Sequence, residues 1–207
     1  MPKRTFFNLP MEKQETIIAV AKKEFSMHSY HDASINRIIK DAKIPRGSFY
    51  MYFENKEDVF YYILESFQSI IQKQVLQKLV KLDTKGNNLV DIYLEIFDLL
   101  ITTPVLLENK DFFMGIFVHM NISVTKELLS FRDEHIQKKQ GMIIKFWEKI
   151  ELFDNKTSEE IIHIIDVFRL LVVDAVISVL SEEKSSDDVK TALRIKIQFF
   201  ERGIKTR

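Results

Sequence analysis

The 207-residue sequence predicts an all-helical protein. Three observations lead there. Only five glycines and four prolines are present, about a third of the roughly 12% that average usage would supply, too few turn residues to punctuate a many-stranded sheet. Apolar residues recur three and four apart over most of the chain, the period of a helix with one buried face. The composition, 46% hydrophobic and 29% charged, is that of a folded chain with a real core. With no cysteine, neither a disulfide framework nor a thiolate metal site can form, which suits a reducing cytoplasm.

Pro10 opens the first periodic segment, with Ile17, Ile18, Ala21 and Phe25 on one stripe. After a break at residues 29–32, Ser34 reads as an N-cap for a helix carrying Ile35, Ile38, Ile39 and Ala42. Lys43 and Ile44 make a tight turn, and Pro45 starts a third short helix running from Arg46 to Tyr52 around Phe49. Asn55 with Glu57 and Asp58 caps a long helix reaching about Lys81, and residues 84–88 form a turn. Further helices are expected over Leu89–Thr102, Glu108–Met120, Val124–Ile150, Ser158–Leu180 and Ser186–Gly203, nine in all. The organisation predicted is a three-helix domain at 1–54, whose last two helices form a helix-turn-helix, and a six-helix domain at 55–207.

Thirty basic and thirty acidic residues balance, which excludes a globally basic nucleic-acid coat and an acidic tail protein. Residues 1–60 carry a net +2 and the remainder a net −2, an asymmetry that permits a locally basic binding site without requiring one. The first residues lack the apolar stretch of a signal peptide. His163, Asp166, Arg169 and Asp174 interrupt the apolar run Ile161–Leu180, so it reads as a largely buried helix rather than a membrane span.

The stretch from Ala33 to Phe60 carries the function. In the helix starting at Pro45, Phe49 is expected inward and Arg46, Gly47, Ser48, Tyr50 and Tyr52 outward. Such a helix suits a DNA major groove: arginine can chelate guanine O6/N7, hydroxyls reach phosphates or bases, and a glycine permits close approach. Ser34, Asn36, Arg37 and Lys43 add polar groups from the preceding helix and turn, and Lys56 stands at a helix N-terminus suited to an anion.

At these residues the chain resembles the TetR family of bacterial transcriptional regulators. The match runs through Phe25, Tyr30, Ser34, Ile38, Gly47, Phe49, Tyr50, Tyr52, Phe53, Lys56 and Val59 and covers about residues 10–62. The resemblance implies an N-terminal DNA-binding domain, a C-terminal effector-binding domain, and a homodimer on a near-palindromic operator. The family usually places glycine where this chain has Ser29 and Lys43, which implies a left-handed backbone at both, at a cost on the order of 1 kcal/mol each. Pro45 stands where a hydroxyl residue is commoner, and removes a phosphate contact.

Seventeen phenylalanines are mostly core material. Phe97, Phe113, Phe117, Phe131, Trp147 and Phe168 belong to the helices that, by the resemblance, line an effector cavity for an apolar or aromatic small molecule. Asp174, set among Val172, Val173, Ala175 and Val176, reads as the least comfortable charge in the chain. It is expected to pair with Arg169 or a partner chain, or to face a cationic ligand. The helices Ser158–Leu180 and Ser186–Gly203 carry apolar residues on opposite sides, Ile164, Leu171 and Ile177 among them, more than one core can cover, and they are the expected dimer interface.

No metal, cofactor or catalytic residue is expected. His28 and His31 fall in a turn with only Asp32 as a carboxylate neighbour, and no phosphate loop, nucleophile elbow or acid–base pair is present. The reading is a cytoplasmic, ligand-responsive regulator, a repressor in the resembled family's manner, with double-stranded DNA, a second copy and a small effector as partners and no membrane. The alternatives are a helical DNA-binding co-regulator without an effector, and an all-helical enzyme using the C-terminal cavity.

Overall fold

A computed structural model describes residues 1–82, 88–119, 146–150 and 153–205. Among them are ten helices and no strand: α1 (Arg4–Phe7), α2 (Met11–Met27), α3 (Ile35–Asp41), α4 (Arg46–Tyr52), α5 (Lys56–Lys81), α6 (Leu89–Thr102), α7 (Pro104–Leu107), α8 (Lys110–His119), α9 (Ser158–Leu180) and α10 (Ser186–Lys205). The all-helical class is as expected. Helices α1 and α7, four residues each, were not, because a single turn leaves no periodic signature. The expected helix Val124–Ile150 lies largely outside the described residues. No helix among those described is long and apolar enough to cross a membrane.

Two compact units form. The first comprises residues 1–70 and 108–125, the second 71–107 and 126–207. In the first unit α2 packs on α3 and α8, while α4 packs on α1 and α3. Phe6, Phe25, Phe49, Phe53 and Phe60, all essentially inaccessible, fill its core. Phe25 and Phe60 meet edge to face with centroids 5.0 Å apart, and Phe6 lies 4.9 Å from Phe53. A small domain fills its interior most economically with large rings.

The turn between α3 and α4 is a Schellman motif. Lys43 N–H donates to the Lys40 carbonyl (3.2 Å) and Ile44 N–H to the Ile39 carbonyl (3.1 Å), with Lys43 at φ 52°. The left-handed residue expected at 43 is there, and a lysine bears its cost of about 1 kcal/mol. Ser29 differs from expectation: positive φ occurs among described non-glycine residues only at Lys43 and Glu182. Instead, the Ser29 hydroxyl donates to Asp32 Oδ2 (2.6 Å) and accepts the Asp32 N–H (3.2 Å), a side-chain-built turn with no need of glycine.

In the second unit α6, α9 and α10 pack pairwise. Their starts are set locally. Asn88 Oδ1 accepts the Asp91 N–H at the head of α6 (3.0 Å), and Thr157 with Glu160 forms a reciprocal capping box before α9.

Candidate nucleic-acid interface

Helices α3 and α4 present one polar face. Phe49, on the opposite side of α4, is fully buried and anchors the helix. Arg46 Nη1 donates to Asn36 Oδ1 of α3 at 2.9 Å, and its guanidinium lies 5.8 Å from the Tyr50 ring centroid. Arginine, asparagine and tyrosine are thereby gathered on one exposed patch, with Tyr50 38% exposed. Gly47 is exposed, and a Cβ placed there would meet nothing within 4 Å. Ser48 is half-buried beside them, and Lys43 is exposed at the turn.

Tyr52 requires correction. Expected outward, it is only 8% exposed and its ring meets Phe6 edge to face at 6.3 Å. Residue 52 lies three positions after Phe49, hence on the same side of a helix, and α1 covers it.

Arg37 is also placed otherwise than expected, while Ser34 is at the N-cap position expected of it. The Glu24 carboxylate, buried on α2, accepts the Ser34 N–H at 2.7 Å and the Arg37 Nε at 2.8 Å. Arg37 Nη2 adds a hydrogen bond to the Asp32 carbonyl (2.6 Å). The guanidinium thus braces α3 against α2 rather than extending freely from the reading face. Ser34 holds the N-cap position of α3 without a capping hydrogen bond from its side chain. The missed residue is Glu24: the sequence sets it among the charges off the apolar stripe, and its partners ten and thirteen residues on leave no local signal.

Glu24 has a consequence for acid stability. Burial pushes its carboxyl up, but the hydrogen bonds from Arg37 and Ser34 and the charges of Arg37 and His28 outweigh this and hold it below the usual carboxylate value. A carboxyl depressed in the folded state stabilises fully above its unfolded pKa, about 4.3, and loses that contribution as pH falls through the folded value. Glu24→Gln is therefore expected to lower stability at pH 7 by about 1–3 kcal/mol and to flatten the acid limb of a denaturation-versus-pH curve. An unchanged acid limb would remove Glu24 from this role.

Lys56 begins α5 as expected, but its ammonium reaches back. Nζ donates to the carbonyls of His31 (2.9 Å) and Ala33 (3.1 Å) and lies 4.9 Å from the Tyr30 ring centroid. It ties the loop before α3 to the head of α5.

The effector candidates divide between the units. Phe97, Trp147 and Phe168 are buried in the second unit, whereas Phe113 lies in the first, 5.0 Å from Phe67. The Phe117 side chain and Phe131 fall outside the described residues. Tyr93, unnoticed in the sequence, joins two of the set: its ring stacks on Trp147 at 5.2 Å and on Phe168 at 5.0 Å. Its hydroxyl is buried without a hydrogen-bond partner among the described residues. Burial above all, with the charge of Asp166, pushes this phenol far above its ordinary pKa against the smaller pull of Arg169.

Of the partners expected for Asp174, Arg169 is not the one it has. The Asp174 side chain is 63% exposed and pairs with Lys196 at 2.9 Å, not with Arg169, which pairs with Asp166 at 3.4 Å. Apolar neighbours in sequence fan out by about 100° per residue on a helix. Asp174 shares its face with Val167 and Leu170, both exposed.

A short helix held rigidly beside a second one, polar side outward, defines the helix-turn-helix class of regulators. Comparison with known proteins narrows it. Residues 17–63 match the family model described as bacterial regulatory proteins, tetR family, and residues 88–204, more than half of the chain, match the tetracyclin repressor-like C-terminal domain. The chain belongs to the TetR family, whose members are transcriptional regulators and not enzymes.

The chain is 35% identical over 63 residues to the uncharacterized HTH-type transcriptional regulator YdgC of Bacillus subtilis (strain 168), covering 30% of this chain and 32% of that protein. It is 32% identical over 101 residues to YuxN, likewise described, of the same organism, covering 49% and 33%. The matches thus span about a third of the length of these curated relatives. A crystal structure of a protein described as a TetR-family transcriptional regulator from Syntrophomonas wolfei str. Goettingen has the same fold. Its TM-score is 0.67 at 18% identity, over 92% of this chain and 95% of that one.

Proposed function

We propose that this chain is a cytoplasmic, DNA-binding repressor of transcription, acting as a homodimer on a near-palindromic operator and released by a small apolar or aromatic effector. By role, residues 1–54 form the reading head and residues 55–207 the effector and dimer region. The observation that carries the proposal is the α3–α4 face, where Arg46, Asn36 and Tyr50 stand together outside a helix pinned by Phe49. Gly47 supports it. The chain's own packing leaves open space where its Cβ would be, which leaves room for a duplex backbone or base edge to come close.

The dimer reading rests on an apolar seam. Val167 and Leu170 (59% exposed) on α9, with Ile195 and Phe199 (76% exposed) on α10, leave large apolar side chains uncovered in the single chain. Two copies of α9 and α10 would bury them as a four-helix bundle, with the Asp174–Lys196 pair at the seam. For the effector, Phe97, Trp147 and Phe168 supply an apolar lining and the Tyr93 hydroxyl a polar contact. An effector releases DNA only through higher affinity for a conformation whose reading heads are differently spaced. Because α5 runs continuously from the head into the remainder, its tilt is the lever.

Selection of bound fragments from random duplex DNA tests the core of the proposal. The intact chain is expected to enrich a two-fold symmetric sequence with half-sites about one helical turn apart or more. Arg46→Ala is expected to relax the preference at one base position of each half-site, costing about 1–3 kcal/mol on the selected duplex and much less on random DNA. Equal losses on both duplexes would show that Arg46 reads no base.

A further inference from the structure

The C-terminal end of α4 is held in a way that neither the motif nor the family match accounts for. A helix of seven residues is too short to persist by itself, and its last carbonyls have no partners within the helix. Here three consecutive carbonyls are taken by the N-terminal segment. Lys3 Nζ donates to the Tyr50 carbonyl at 2.9 Å, the Thr5 hydroxyl to the Met51 carbonyl, and the Lys3 backbone N–H to the Tyr52 carbonyl at 2.7 Å. The Lys3 ammonium also brings positive charge to the negative end of the helix dipole. One residue on, Phe6 is fully buried against Phe53 (4.9 Å), Tyr62 (5.7 Å) and Tyr52. The segment is thus anchored while its polar groups close the end of α4 from 46 to 49 residues away in sequence.

We infer that residues 3–6 are a positioning clamp for the reading helix, with Lys3 and Thr5 as the positioning residues and Phe6 as their anchor. The inference rests on the proposed DNA-binding role of α4. Phosphate contacts tolerate small misalignments of a helix, whereas bidentate contacts to base edges do not. Loosening the clamp therefore lowers discrimination between the correct sequence and random DNA, while non-specific affinity persists.

Thr5→Val tests this cleanly, since it keeps side-chain size and charge and removes only the donor to Met51. On the duplex selected by the parent chain, a roughly 3- to 10-fold loss of affinity is expected, the worth of one hydrogen bond. Random-duplex affinity and the slope of log K against log salt should be unchanged, because no phosphate contact is lost. Thr5→Ser should restore the parent's discrimination, and amide hydrogen exchange of residues 49–53 in the free protein should quicken in Thr5→Val alone. Unchanged exchange and affinity in Thr5→Val overturn the clamp and leave the DNA-binding proposal standing. An equal loss on both duplexes, or a reduced salt slope, also overturns it by making the segment a phosphate contact or a general scaffold. A parent chain that selects no duplex overturns the DNA-binding proposal itself, and the positioning role falls with it even if exchange quickens.

Discussion

Gly115→Ala is expected to destabilise the protein, although alanine at an interior helix position ordinarily gains about 1 kcal/mol over glycine. Gly115 sits within α8 where that helix crosses the end of α2. A Cβ there would stand 2.8 Å from Ser26 Cα, 2.8 Å from the Ser26 carbonyl oxygen and 2.9 Å from that of Phe25. These are backbone atoms of a helix, which cannot swing aside as a side-chain tip can. Overpacking of this kind costs about 1–3 kcal/mol, enough to reverse the propensity gain, and Gly115→Val should cost more. At about 2–4 °C per kcal/mol for a chain of this size, a calorimetric melt resolves the series glycine, alanine, valine as a falling midpoint. Gly47→Ala is the control: with nothing near its Cβ, it should raise the melting midpoint slightly. A midpoint that rises with Gly115→Ala would mean that α2 and α8 do not approach this closely.

Phe49→Ala should have the largest effect. The ring is fully inaccessible, 5.5 Å from Phe53, and it is the principal apolar anchor of the helix that carries Arg46 and Tyr50. Removing a buried phenylalanine costs about 3–5 kcal/mol, the lost transfer energy plus the cavity left behind, against a total stability of about 5–15 kcal/mol. Chemical denaturation should show an unfolding free energy lowered by that amount, through a lower midpoint with little change in slope. Sequence-specific DNA binding should be lost even where helical content survives, because α4 would have its clamp at one end and no anchor beneath it. An unchanged midpoint would mean that Phe49 does not pack as described.

The fold was readable wherever its signals are local. The limits of α6 and α9 coincide with those expected from periodicity, because Asn88 and the Thr157–Glu160 box start these helices with neighbouring residues alone. The Lys43 turn was likewise implied by the family pattern, and a hydrogen-bonded turn of six residues realises it. Of the residues expected to read DNA, Arg46, Gly47 and Tyr50 stand outward as a seven-residue helix around Phe49 requires.

The misplaced residues share a different cause. The Arg37 guanidinium is claimed by Glu24 from another helix. Tyr52 is covered by α1, a four-residue helix whose apolar pair Phe6–Phe7 carries no period to detect. Asp174 looked buried because its sequence neighbours are apolar, while the turn of α9 delivers it to the outer face with Lys196.

Sequence alone settled the helical class and most helix limits and marked α4 as the candidate reading helix, since propensity, caps and the 3.6-residue period act within a few residues. Only the tertiary structure decided which polar groups stay available on that helix and what closes its end. Those outcomes depend on Lys3, Thr5 and Glu24 meeting groups ten to forty-nine residues away. Pairing over such separations is chosen by the packing of the whole unit, and no local pattern records it.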